Sequence, residues 1–139
     1  MRYSNFVYYQ PNRKDIKDSY SDCTIRAISR AMDWDWVTTF EALMPYAREE
    51  QCMIYDKPCY ENFLKEHGFT YHGISNKKGS KRPKLSEFAK KHKDETIIAI
   101  IARYEVCCKY GNFHDTYNSI GDKCLYGYWV KEDNLLDNK

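Results

Sequence analysis

The sequence predicts an α+β domain, with helices in the first half packed on an antiparallel sheet in the second. Three observations carry this. Apolar residues recur at helical spacing through the first half of the chain. A run that is apolar on both faces, TIIAIIA, opens at Thr96. From there to Lys131 short β-type segments alternate with turn residues.

The elements follow in order. Residues 1–20 are polar and rich in tyrosine, and read as a short strand or extended arm (Asn5 to Tyr9) followed by a loop. Ser21 or Asp22 caps a first helix running to about Met32, with Ile25, Ile28 and Met32 as its apolar stripe and Cys23, Ala27 and Ala31 along the edge. Asp33 or Asp35 caps a second helix carrying Trp36, Phe40, Leu43, Met44 and Ala47, whose last turn Pro45 is expected to distort. Pro58 suits the first turn of a third helix that buries Tyr60, Phe63 and Leu64 and stops at Gly68. Phe69 to Ile74 reads as a strand, NKKGSKRPK as a loop with five basic residues, and Leu85 to Lys91 as a short helix. TIIAIIA fits a central strand covered on both sides. Further strands are expected over Glu105–Tyr110, Asn112–Tyr117 and Cys124–Lys131, with turns at Gly111 and around 118–122, before a frayed tail at 132–139.

With 139 residues the chain has the size of one domain, and a hydrophobic fraction of 42% that includes 13 Tyr supplies a core rich in aromatic area. The net charge of +2 predicts no global preference for nucleic acid or acidic membrane, so any such preference must be local. No run approaches the roughly 20 apolar residues of a membrane span, and the N-terminus lacks the apolar core of a signal peptide. The cytosol is therefore the expected compartment, where thiols stay reduced. The six cysteines are Cys23, Cys52, Cys59, Cys107, Cys108 and Cys124. They contain no C-x-x-C pair, and adjacent Cys107 and Cys108 would point to opposite faces of a strand. Most are expected to be small buried hydrophobes, and no cofactor or metal is expected.

Cys23 is the one cysteine placed for chemistry. In SDC-TIRA it falls in the first turn of a helix, where free N–H groups and the helix dipole favour a thiolate. The plainer reading is a small residue packed under the sheet. A cysteine nucleophile needs a general base, and the four histidines are the candidates. His67 is expected to face solvent at a helix end, and His92 to lie in the charged turn KKHKDE. His72 could face either way on its strand. His114 alone lies where the sheet could bring it to the thiol, but its neighbour Asp115 must then point to the other face. The residues supply a nucleophile and no complete triad.

Two surface features invite binding. Lys77, Lys78, Lys81, Arg82 and Lys84 form a basic loop, which reads either as solvated surface or as a contact for phosphates and acidic partners. By sequence it lacks interleaved aromatics for base stacking. Among the tyrosines, Tyr104, Tyr110 and Tyr126 near the sheet ends are candidate contact residues.

Several words of the chain, taken in order, resemble small phage-encoded papain-like (C39-like) cysteine peptidase homologues. They are Asp22-Cys23-Thr24-Ile25-Arg26-Ala27-Ile28, Asp33-Trp34-Asp35-Trp36-Val37, His114-Asp115-Thr116-Tyr117 and Tyr126-Gly127-Tyr128-Trp129. The resemblance spans about residues 20–131. It implies a papain-like fold with Cys23 at the nucleophile position and Asp115 at the orienting acid. The family's histidine would fall within Arg103-Tyr104-Glu105-Val106-Cys107, where alignment puts Glu105. The upstream glutamine is not evident, Lys17 being near its place. A carboxylate beside the thiol would raise the thiol's pKa.

Two functions remain open. One is an impaired papain-like domain, phage-encoded and acting in the host cytosol, that binds a host or viral macromolecule. That partner is expected to be a protein, with nucleic acid or nucleoprotein reachable through the loop 77–84, and a host-defence inhibitor of the anti-CRISPR type fits the size. The other is a cysteine hydrolase (peptidase or amidase) with Cys23 as nucleophile, Asp115 as orienter and Glu105 or a displaced His114 as base.

Overall fold

The computed structural model describes residues 2–14, 22–75 and 81–132. The expectations for Lys17, Ser21, Lys77, Lys78 and the tail 133–139 lie outside the described residues. The chain is α+β, with four helices and a six-stranded mixed sheet. In order the elements are β1 (Phe6–Tyr8), α1 (Cys23–Met32), α2 (Trp36–Glu50), α3 (Lys57–Glu66), β2 (Phe69–Gly73), α4 (Leu85–Lys91), β3 (Ile97–Ile101), β4 (Tyr104–Lys109), β5 (Asn112–Asp115), a 3-10 turn (Asn118–Asp122) and β6 (Gly127–Lys131).

The strand order is β1-β5-β4-β3-β6-β2. Every neighbouring pair is antiparallel except β1 with β5, which run parallel with Val7 opposite His114. This corrects the expected all-antiparallel sheet. Parallel pairing needs a long connection, and here most of the chain separates the two partners, a relation that local pattern cannot reveal. Asn5 fixes the arm in place, its amide donating to the carbonyls of Ser86 (2.9 Å) and Gly111 (3.1 Å).

Period-two alternation divides the core. Ile98 and Cys107 face α1–α3 with Leu43, Phe63, Leu64 and Trp129, whereas Ile97, Ala99, Val106 and Cys108 face α4 with Leu85, Phe88 and Phe113. The doubly apolar β3 is thus covered on both sides, and the adjacent cysteines do point apart. Tyr110 and Gly111, both at positive φ, form a two-residue hairpin between β4 and β5, the twist that suits right-handed strands.

Three local expectations are revised. Pro45, expected to distort the last turn of α2, lies inside a helix that continues five residues beyond it to Glu50. Pro45 is exposed, so the carbonyl of Glu41 that loses its amide partner faces water. Asp22 is the residue before α1, yet its carboxylate makes no capping bond and is used elsewhere. His67 and His92 do not face open solvent, because each stacks on a core phenylalanine: His67 on Phe63 (3.9 Å between centroids) and His92 on Phe88 (4.0 Å). No helix among the described residues is long and apolar enough to cross a membrane.

Phe63 is fully buried and touches Trp34, Tyr46 and His67 through its ring. Phe63→Ala is expected to cost about 3–5 kcal/mol through lost burial and the cavity left behind. Urea unfolding measures it, and a cost below about 1 kcal/mol would mean that this face of the core repacks freely.

Candidate functional site around Cys23

Helix α1 lies across β4, with α2 on its other side, so it is buried nearly all round rather than along one stripe; Thr24, Arg26 and Ser29 are buried with the apolar positions. Ser29 and Thr39 share a hydroxyl bond of 2.7 Å that ties α1 to α2. Burying polar groups in this way requires partners for each.

Arg26 has the most. Its Nη1 donates to Asp22 (2.7 Å), its Nε to Asp115 (2.8 Å) and its Nη2 to the hydroxyl of Tyr104 (2.5 Å). Asp115 also accepts from the Tyr104 hydroxyl (2.8 Å) and from the amide of Tyr117 (3.3 Å). Asp22, one turn before Arg26, accepts in addition from the indole of Trp36 (3.2 Å). The guanidinium therefore sits between two carboxylates, and each carboxylate has further donors. Tyr104 is accordingly a half-buried member of this network. It is not the free contact residue its place near a sheet end suggested.

Cys23 begins α1 one residue from this network. Its thiol donates toward Glu105 Oε2 at 3.9 Å, and the Thr24 hydroxyl donates to Glu105 Oε1. Glu105 of β4 is buried, and burial holds its carboxyl above the usual range, with the Thr24 bond opposing. Burial, followed by the nearby Glu105 charge, pushes the Cys23 thiol up to about 12. These two act against the thiolate that the helix terminus favours. A terminus contributes about 0.3–1 kcal/mol, less than the ~1.4 kcal/mol of a single pKa unit, and cannot offset desolvation plus a like charge.

His114 shares a sheet face with Cys107, but its ring is fully engaged elsewhere. Arg30 Nε donates to Nδ1 (3.2 Å), which leaves the proton on Nε2, where it is donated to the carbonyl of Lys109 (3.1 Å). Burial lowers its pKa, and the Arg30 and Lys109 cations act the same way. It is a neutral imidazole with neither nitrogen free. Lys109 is itself buried and donates to the carbonyl of Arg30 (3.0 Å) and to Asp33 (3.1 Å).

No family model, curated protein or solved structure matches the chain. What the site can do chemically is therefore read from its own geometry.

Of the residues singled out by sequence, the structure brings Cys23 and Glu105 together. It ties Asp115 to Tyr104 and Arg26, and it directs His114 to Arg30 and Lys109. Thr24 and Arg26 escaped attention as site residues. The one legible signal was the i, i+4 spacing of Asp22 and Arg26. Tyr110 is exposed at its hairpin tip with the Lys109 ammonium 5.6 Å from the ring centre, and Tyr126 is exposed with Arg82 above it. Lys81 and Lys84 are exposed and Arg82 half-buried. A groove of about 920 Å³ opens beside the network. Asp22, Ile25, Trp36, Phe40, Met44 and Tyr55 are among its walls, and neither Cys23 nor Glu105 lines it.

Two outcomes follow from this geometry. Arg26→Ala leaves Asp22 and Asp115 buried without their cation and is expected to destabilise by about 3–5 kcal/mol in urea unfolding, while a loss under 1 kcal/mol would mean that the network is not holding α1 to the sheet. Because the folded chain keeps the Glu105 proton where the unfolded chain, near its ordinary 4.5, has released it, this carboxyl favours folding below about pH 4.5 and that contribution is lost as pH rises through the folded value. Glu105→Gln is thus expected to be more stable than the parent at pH 8, with the gap closing toward pH 4; a gap independent of pH would refute a carboxyl whose pKa folding raises.

Proposed function

We propose that the chain is a papain-like domain of the small phage-encoded kind it resembles, that its cysteine site no longer performs nucleophilic chemistry, and that it acts by binding a host or viral macromolecule. A host-defence inhibitor is the role that best suits such a domain. The observation that carries the reading is that the group facing the Cys23 sulfur is a carboxyl and no imidazole serves it.

Nucleophilic cysteine chemistry requires a thiolate, and a thiolate requires a base that takes the proton at neutral pH. Glu105 accepts from the thiol but repels its anion, and a thiol near 12 is ionised to only about one part in 10⁵ at pH 7. Asp115, which the resemblance assigns as the orienting acid, holds the hydroxyl of Tyr104 instead of an imidazole. That phenol is raised by burial and by Asp115, so it stays protonated and offers no base. The remaining histidine on this side, His114, has both nitrogens spent. Support for the fold assignment is narrower: a helix with cysteine in its first turn packs across the strand that bears Glu105, and the next strand supplies Asp115.

Alkylation of each cysteine against pH, followed by peptide mass spectrometry of the native protein, tests the proposal. Cys124, exposed, is expected to react first, and Cys23 at least about a hundredfold more slowly at pH 7. If Cys23 instead reacted fastest with an apparent pKa below ~8.5, the site would be activated and the chain would be a cysteine hydrolase using Cys23 and Asp115.

A further inference from the structure

The segment that leads into α4 runs beside the segment that leads into β6. Leu85 N donates to Lys123 O (2.8 Å), Leu125 N donates to Pro83 O (3.0 Å), and Lys84 and Cys124 form an isolated bridge. This pairing lays the Arg82 guanidinium over the Tyr126 ring, 4.4 Å from its centre. Lys81, Lys84 and Lys123, all exposed, belong to these two paired segments. Two residues beyond Tyr126, Tyr128 is stacked on His72 of β2, with centroids 5.1 Å apart and planes 15° from parallel. Tyr126 stands at a bend just before β6 and Tyr128 within it, so the two stacked pairs are near neighbours along the chain.

Tyr126 is 46% exposed and His72 is exposed as well. Among the described residues Lys81, Arg82, Lys84 and Lys123 have no acidic partner, and Arg82 Nε has no hydrogen-bond acceptor. Stacked, exposed rings beside unpaired cations are therefore a property of this surface. Sequence placed the basic residues in a loop without aromatics, because Tyr126 and His72 reach the strip only through strand pairing.

We propose that this surface binds single-stranded nucleic acid, the Arg82–Tyr126 and His72–Tyr128 pairs serving as stacking platforms for successive bases while Lys81, Lys84 and Lys123 meet phosphates. The lysines alone would suit any polyanion. Flat rings selected by cations favour bases, because every base offers a π-face and stacking tolerates any sequence. Base faces are open to side-chain rings in an unpaired strand and covered by their neighbours inside a duplex, so stacking of this kind favours the single strand. The inference rests on the reading that this chain acts by binding, and it names the class of partner.

Fluorescence anisotropy with labelled oligo-dT of about twenty nucleotides, longer than a ~4–16-nucleotide site, tests it against the same sequence as duplex and against polyglutamate. Oligo-dT is expected to bind at about 50 mM salt, with log K falling against log salt by about 0.7 per phosphate neutralised. Tyr126→Ala is expected to weaken binding about tenfold and leave that slope unchanged. Replacing Lys81, Lys84 and Lys123 by Ser is expected to make the slope shallower by about 2. Unchanged urea midpoints show that these exposed-site variants remain folded. No binding at low salt overturns the inference. So does duplex binding as tight as single-strand binding, and so does indifference to Tyr126→Ala. Polyglutamate competing as well as oligo-dT would also overturn it and indicate an acidic protein surface. Failure of oligo-dT with Cys23 still unreactive removes this inference alone, whereas fast alkylation of Cys23 removes the binding reading itself.

Discussion

A guanidinium almost sealed from water, held between two carboxylates, is the constraint on which the rest of this molecule depends. Arg26 joins Asp22, at the entrance to α1, to Asp115, at the end of β5. A buried ion pair gains little over a well-packed apolar alternative, but it tolerates only one arrangement of its partners. Here that arrangement sets the height and rotation of α1 against the sheet. Once α1 is set, Thr24 must meet Glu105, Ser29 must meet Thr39 and the Cys23 sulfur must point at a carboxyl.

The same network sets burial and a like charge against the thiolate of a cysteine in a favourable position. The first turn of a helix, taken alone, would promote a thiolate. Its influence falls off within a turn and is worth less than the desolvation imposed by β4 on one side and α2 on the other. Glu105 adds a like charge where a base would need to stand. Tyr104 occupies the grip of Asp115, and Arg26 donates to both of them. The site is satisfied internally, with each polar group spent on a neighbour. That suits a structural core better than a reaction centre.

The surface proposed for binding lies on the opposite face. There the strip formed by residues 81–85 and 123–126 keeps its cations without acidic partners among the described residues. Among the described residues the buried polar side chains around Cys23 have partners, whereas Arg82 Nε beside Tyr126 has none.

Sequence alone determined what depends on neighbours along the chain. The helical period placed α1, α3 and α4 within a residue or two, the doubly apolar run identified the central strand β3, and Gly111 marked the hairpin. It also placed Cys23 in the first turn of α1, while only the family resemblance set Glu105 beside it. Tertiary structure decided the rest. The parallel entry of β1 beside β5, the engagement of both His114 nitrogens and the capture of Tyr104 by Asp115 all join residues far apart in the chain. So does the laying of Arg82 on Tyr126. The physical reason is the same in each case: secondary structure follows from short-range sterics and periodic burial, whereas the partner of a buried charge or a flat ring is chosen by the register between strands and the packing of a helix upon them.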